Sequence, residues 1–380
     1  MNDKWITVWG NAIAKPTRRV AEWIKDTTLR QQMEMTVSGK AVKLHFSNLF
    51  GADSATITSA TVALAGVDSA VKADTITTVT FDGKNSCTIE KGQGIVSDAI
   101  PFEFSAGDLL VVSLYFADFV SVITSYDAGD MGMSRWCCTG DHTHSEDLPV
   151  MTKTVADVTP LIHTIEAFCS EECYTVITFG DSITAQTWPD RLRRRMVNAG
   201  RKDIAIVRKA IGGSRVLREY PCDAYRSYGT KGGARFEREV LLPGVKKVFI
   251  LQGINDIIHP GEEGNIFRPA SDMPTAEELI AGLMYYIDTA HKNDIEVYLA
   301  PILPFKGWRT YSEEKDAVRR QVNNWIYNEA PVEGVLPFEE AVWDEKDRLA
   351  MQSDKDSGDH LHPGWRGAQA MADSIPEEFI

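Results

Sequence analysis

From about Leu29 to Phe119, apolar and polar residues alternate in short runs: AVKLHFSNLF (41–50), ATITSATVAL (55–64), TITTVTF (75–81) and DLLVVSLYF (108–116). Successive strand side chains point to opposite faces, so this spacing predicts an N-terminal antiparallel β-sandwich. Phe50-Gly51-Ala52-Asp53 and Asp82-Gly83-Lys84-Asn85 supply turns, where glycine tolerates a positive φ. Residues 128–159, rich in Gly, Asp, His and Thr, read as loops and a linking segment. The expected division is a β-sandwich domain over 1–165 and a second domain over 166–380.

Beyond that point the rhythm changes to apolar strands alternating with longer amphipathic stretches. The strand candidates are 174–180, 203–210, 245–253, 295–302 and the short VLPF run 335–338. Helices fit between them, starting near Trp188-Pro189, over 275–291, over 312–328 and after Pro363-Gly364. This order predicts an α/β three-layer sandwich whose parallel sheet is covered by helices. In such sheets ligands bind beyond the carboxyl ends of the strands.

Composition narrows the partners. Hydrophobic residues make up 43% and charged residues 25% of the 380 residues, as in a folded protein. The net charge of −14 would repel nucleic acid and anionic membrane surfaces, so neither is expected as a partner. The N-terminal stretch is too polar for a secretory signal and no segment has the apolar length of a membrane span, which makes a cytoplasmic enzyme the simplest expectation. The six cysteines form no C-x-x-C pair and no zinc framework, and are read as reduced structural thiols. Cys169 and Cys173 would be neighbours if that stretch were helical, a weak argument for metal.

Four strand ends carry the chemistry. The first runs from YTVITFG into Asp181-Ser182-Ile183, which sets a hydroxyl just before a helix, where free backbone N–H groups can stabilise an oxyanion. Ser182 alone would more often be a helix cap. The second ends in Gly212-Gly213, where backbone amides can approach a substrate unobstructed, although a turn explains such a pair equally. The third ends in Gly253-Ile254-Asn255-Asp256; Asn255 offers an amide donor, and Asp256 is expected to cap the following helix. Near the C-terminus, Asp359 and His362 stand three residues apart, as a histidine base and its orienting carboxylate require. His360 is expected to play a structural part.

The ordered set G-D-S, a glycine-rich second block, G-x-N-D and D-x-x-H-P resembles the SGNH/GDSL hydrolases over roughly residues 174–380. The resemblance implies their flavodoxin-like fold, Ser182 as nucleophile, His362 as base, Asp359 as its orienter, and an oxyanion hole of Ser182, Gly213 and Asn255. Arg208 and Lys209 stand where many relatives have Asn before the glycines. No G-x-S-x-G elbow is present, which disfavours an ordinary α/β-hydrolase. WITVWGNA, TLRQ and VKLHFSNLFG resemble the β-rich domain of a branch related to acetylxylan esterases, and His259 in NDIIHPG also resembles that branch.

The expected function is a serine esterase that removes short acyl groups, acetyl above all, from plant-polysaccharide carbohydrate or its oligosaccharides. No metal or organic cofactor is expected. The rivals are a lipase or thioesterase of the same fold, a carbohydrate-binding protein with little catalysis, and, more weakly, a metallophosphoesterase. Trp188, Trp308, Trp343 and Trp365 could stack on sugar rings, although tryptophan is more often core.

Overall fold

The computed structural model describes residues 3–15, 24–121, 124–127, 134–149, 152–153 and 158–380. It divides into two compact units, one of residues 1–175 with 196–207 and one of residues 176–195 with 208–380.

The N-terminal half holds two large antiparallel sheets. One has the order Lys4–Gly10, Ile162–Cys169, Gly39–Ser47, Gly94–Val96, with Ile100–Phe104 also paired to Gly39–Ser47. The other has the order Thr152–Lys153, Arg135–Thr139, Thr27–Glu34, Leu109–Phe116, Ser59–Leu64, Thr77–Thr78. Leu109–Phe116 lies inside its sheet, and its near-continuous LLVVSLYF run is buried on both faces, unlike the alternating IPFEF of Ile100–Phe104. The turn at 82–83 forms as expected, with Asp82 and Gly83 at positive φ inside a Phe81–Lys84 bridge.

One departure occurs here. The stretch 128–159 is not only loop, because Arg135–Thr139 joins the sheet beside Thr27–Glu34; part of that stretch lies outside the described residues. Cys169 ends a strand, so Cys169 and Cys173 are not helix neighbours.

Arg30, the arginine of TLRQ, organises this half. Its side chain is fully buried, and all five guanidinium N–H groups donate: to Ser113 Oγ and to the carbonyls of Ser69, His142, Ser145 and Glu146. One side chain thus closes the carbonyls of two loops onto a central strand.

The parallel sheet has the order Ile204–Ala210, Tyr174–Gly180, Val245–Leu251, Glu296–Leu299, Gly334–Val335. In chain order this is 2-1-3-4-5, the doubly wound order of flavodoxin-like folds, with a switch point between the first and third strands. The fifth strand is only Gly334–Val335, because a helix starts at Phe338 within the expected VLPF strand. Helices Ala276–His291 and Glu313–Asn328 begin where the sequence places them. Thr275 forms a capping box with Glu278, and Ser312 Oγ accepts from the Lys315 N–H. Helices Gly232–Val240 and Ile254–Ile258 precede and follow the third strand along the chain.

Arg30→Met should destabilise the protein by about 3–5 kcal/mol, because four carbonyls and a hydroxyl lose their donor in a buried setting. Denaturant unfolding checks this, and a loss below about 1 kcal/mol would mean that water replaces the guanidinium.

Candidate active site

The first strand leaves the sheet at Gly180, where a Cβ would meet the Leu251 carbonyl oxygen at 2.3 Å, so the chain turns there only because the residue is glycine. Asp181 then caps the short helix Ser182–Ala185: its Oδ1 accepts the Ile183 N–H at 3.0 Å. The cap being Asp181, the Ser182 hydroxyl is left for other work. Ser182 Oγ lies 2.8 Å from His362 Nε2, and His362 Nδ1 lies 2.6 Å from Asp359 Oδ2.

The loop 356–363 presents these groups. Asp359 Oδ1 accepts the backbone N–H of Leu361 at 2.9 Å and of His362 at 2.8 Å, so one carboxylate shapes the loop and faces the imidazole. Partial burial pushes the Asp359 carboxyl up, but the His362 side chain and the two N–H groups outweigh it and hold it at about 2. A carboxylate ionised at working pH fixes the Nδ1–H tautomer, which leaves the Nε2 lone pair toward Ser182. His360 adopts φ 65°, is 56% exposed, and pairs with Asp356 at 2.8 Å instead.

Gly213 has φ 76°, and the Tyr228 ring occupies the place of its missing Cβ, at 2.4 Å. Gly212 faces Ser182, with 3.7 Å from its ideal Cβ position to the serine Cβ. Asn255 is buried in helix Ile254–Ile258, and its Nδ2 donates to the Ser214 carbonyl at 3.1 Å. The structure therefore brings Ser182, His362 and Asp359 into one hydrogen-bonded line, while Asn255 reaches the glycine-rich block and Gly212 touches the serine.

Asp256 does not cap its own helix, contrary to the sequence expectation. Its carboxylate accepts the N–H groups of Val216 at 2.7 Å and Leu217 at 3.0 Å, which clasps the chain just after the glycine block. Burial raises its carboxyl to about 6, against the lowering effect of those two N–H groups, and burial raises Asp181 to about 7. His259 lies beneath the glycine block rather than beside Ser182 in the hydrogen-bonded line: it stacks on Tyr228 at 5.8 Å and meets the Tyr220 hydroxyl at 2.6 Å. Burial, then the nearby Arg268 and Arg215, depress the His259 imidazole to about 2, so it stays neutral. The tyrosine cover had no motif to announce it.

The family model described as GDSL-like lipase/acylhydrolase matches residues 178–370, just over half of the chain. The chain belongs to this family. As a GDSL acylhydrolase it is of the hydrolase, esterase class. Comparison with curated protein sequences finds no match. Similar solved structures include the acetyl xylan esterase AlAXEase (20% identity, 53% of this chain and 96% of that chain, TM-score 0.39). An acetylxylan esterase from Geobacillus stearothermophilus is similar at 18% identity, covering 53% and 94%, with TM-score 0.40. A GDSL-like lipase from Bacteroides thetaiotaomicron is similar at 18% identity, covering 54% and 87%, with TM-score 0.37.

Beside the hydrogen-bonded line, Trp308 stands edge-on to His362, with 6.4 Å between ring centroids. Trp188 is core, packed against Phe338, while Trp365 is exposed. Arg208 donates to the Gln186 carbonyl and pairs with Asp190, which ties the second strand to the start of helix Trp188–Asn198. Among the described residues, no group of three or more His, Cys, Asp or Glu is placed to hold a metal ion, and no helix is long and apolar enough to cross a membrane.

His362→Ala should lose about 10³-fold in turnover, while His360→Ala should lose less than about threefold, since only His362 faces Ser182. Steady-state ester hydrolysis decides; reversed sizes would break the assignment. Asp256→Asn should alter the pH dependence of stability. A buried carboxyl raised above its unfolded value stabilises fully below about pH 4 and loses that contribution as pH rises through about 6. The variant should therefore gain on the parent from pH 4 to pH 6, read as the difference in unfolding midpoints, and a flat difference would contradict it.

Proposed function

We propose that this chain is a serine esterase that removes short acyl groups from carbohydrate, acetyl from plant-polysaccharide fragments above all. The observation that carries the chemistry is the unbroken line from Ser182 Oγ through His362 to Asp359, at 2.8 and 2.6 Å. Ser182 Oγ attacks the ester carbonyl carbon as its proton passes to His362 Nε2. The negative charge that forms on the carbonyl oxygen is held by the N–H groups of Ser182 and Gly213 and by the Asn255 amide. Collapse breaks the carbon–oxygen bond to the sugar, and His362 returns the proton to the leaving alkoxide. Water, deprotonated by His362, then attacks the acyl-serine; the carbon–oxygen bond to Ser182 breaks, His362 returns the proton to Ser182 Oγ, and the acid leaves.

Two features support the short-acyl carbohydrate substrate: the β-rich N-terminal half with its TLRQ and VKLHFSNLFG blocks, and the Trp308 ring beside the base. Each methylene that enters an apolar slot contributes about 0.8 kcal/mol, so an enzyme built for long chains gains with chain length. A closed acetyl pocket loses instead.

Ser182→Ala should lower turnover by about 10⁴-fold or more without unfolding the protein, measured as acetate release and by circular dichroism. For the parent, kcat/KM should fall from acetyl to butyryl and be very low at octanoyl esters. A series that rises with chain length would replace the carbohydrate reading with a lipase or thioesterase.

A further inference from the structure

A concavity opens next to Arg309, the neighbour of Trp308. It has a volume of about 460 Å³, within the ~300–1,000 Å³ usual for small-molecule sites, and lies between the 260–273 loop and the start of helix Glu313–Asn328. Glu263, Arg309, Thr310, Ser312, Glu314 and Lys315 contribute to its wall.

Arg309 links it to the site already described. Its guanidinium stacks on Trp308 at 4.6 Å, and the Trp308 ring is 6.4 Å from His362. The cavity wall therefore begins no further from the imidazole than those two distances laid end to end, a reach of about two sugar rings. We propose that this cavity is an accessory carbohydrate subsite, which holds a neutral sugar ring next to the acylated one while Arg309 spans the two. The proposal rests on the carbohydrate-ester reading and extends it.

The chemistry of the wall selects the ligand. Lys315 is already committed, since its ammonium donates to the carbonyls of Ile258 at 3.3 Å and Pro260 at 2.8 Å. Thr310 likewise donates to the Ile258 carbonyl at 2.7 Å, and Ser312 caps its helix. That leaves Glu263 and Glu314 as acceptors, with Arg309, 60% exposed, as donor and Glu262 paired to one end of it at 3.0 Å. With Glu263 and Glu314 set against Arg309 and Lys315, the wall carries no excess positive charge to attract phosphates or uronates. Carboxylates beside a planar guanidinium suit sugar hydroxyls, which both donate and accept. The wall has a firm support: Asn323 accepts the Ile302 N–H at 2.8 Å and donates to its carbonyl at 2.9 Å, which anchors the start of the 302–311 segment on helix Glu313–Asn328.

Acetylated xylo-oligosaccharides of one to four units, with 4-nitrophenyl acetate as the small ester, test the proposal in the full-length protein. For the parent, kcat/KM should rise about tenfold from one to three units. In Arg309→Ala and in Glu314→Ala, the ratio of trisaccharide to 4-nitrophenyl acetate kcat/KM should fall about tenfold. Equal losses on both substrates would mean that Arg309 only supports Trp308, and would overturn the subsite. So would a parent that cleaves acetylated sugars without a length effect. Binding of unacetylated xylotriose by titration calorimetry separates the two readings: weakening of about tenfold in Arg309→Ala supports the subsite, and unchanged or absent binding in the parent refutes it. Failure to cleave any acetylated sugar alongside good turnover of 4-nitrophenyl acetate would instead overturn the carbohydrate reading.

Discussion

The first and third strands of the parallel sheet approach each other at Gly180 more closely than any side chain permits, with the Leu251 carbonyl only 2.3 Å from where a Cβ would stand. That approach sits at the switch point of the 2-1-3-4-5 sheet, where the crossovers diverge and leave a crevice at the strand ends. Everything in the site follows from the two exits it creates. One exit delivers Asp181 and Ser182 to a helix start; the other passes through Gly253, at φ 126°, into the helix that bears Asn255 and Asp256. Arg235, fully buried, ties the first of these exits to the neighbouring second strand by donating to the carbonyls of Gly180 and Lys209.

Charge in this region is sorted by solvation. Asp181 and Asp256 are fully buried carboxyls whose ionised form is disfavoured, and both are used for their geometry, one as a helix cap and one as a clasp on Val216 and Leu217. Asp359 sits at the partly exposed end, where three hydrogen bonds favour its ionised form. Three aspartates near one serine thus do different work because burial and hydrogen bonding push them in opposite directions. His259 follows the same logic: buried among tyrosines and near two arginines, it is a neutral packing element beneath the glycine-rich segment.

Much of this was legible in the sequence. The strand at 174–180, the helix caps Thr275 and Ser312, and the G-D-S, G-x-N-D and D-x-x-H-P blocks carry local signals that do not depend on tertiary contacts. The spacing of Asp359 and His362 was readable because both lie on one loop. What escaped depended on partners far away in the chain. Asp256 looked like a cap because nothing near it announces Val216 and Leu217; Tyr228 carried no motif, and its fit against Gly213 exists only once residues 213 and 228 fold together. Arg135–Thr139 hid as a strand because Gly, Asp and His crowd around it, and its partner Thr27–Glu34 supplies the order that its own composition lacks.

A nucleophilic Ser182 must carry the acyl group covalently, and the most direct test is to mix the protein with an acetyl ester, quench in acid within the first turnover, and map the adduct by mass spectrometry. Acetyl is expected on the peptide that carries Ser182 and on no other, formed as fast as the first equivalent of alcohol is released. An initial burst with the acetyl on a different residue, or turnover with no covalent acetyl at any time, would contradict that role of Ser182.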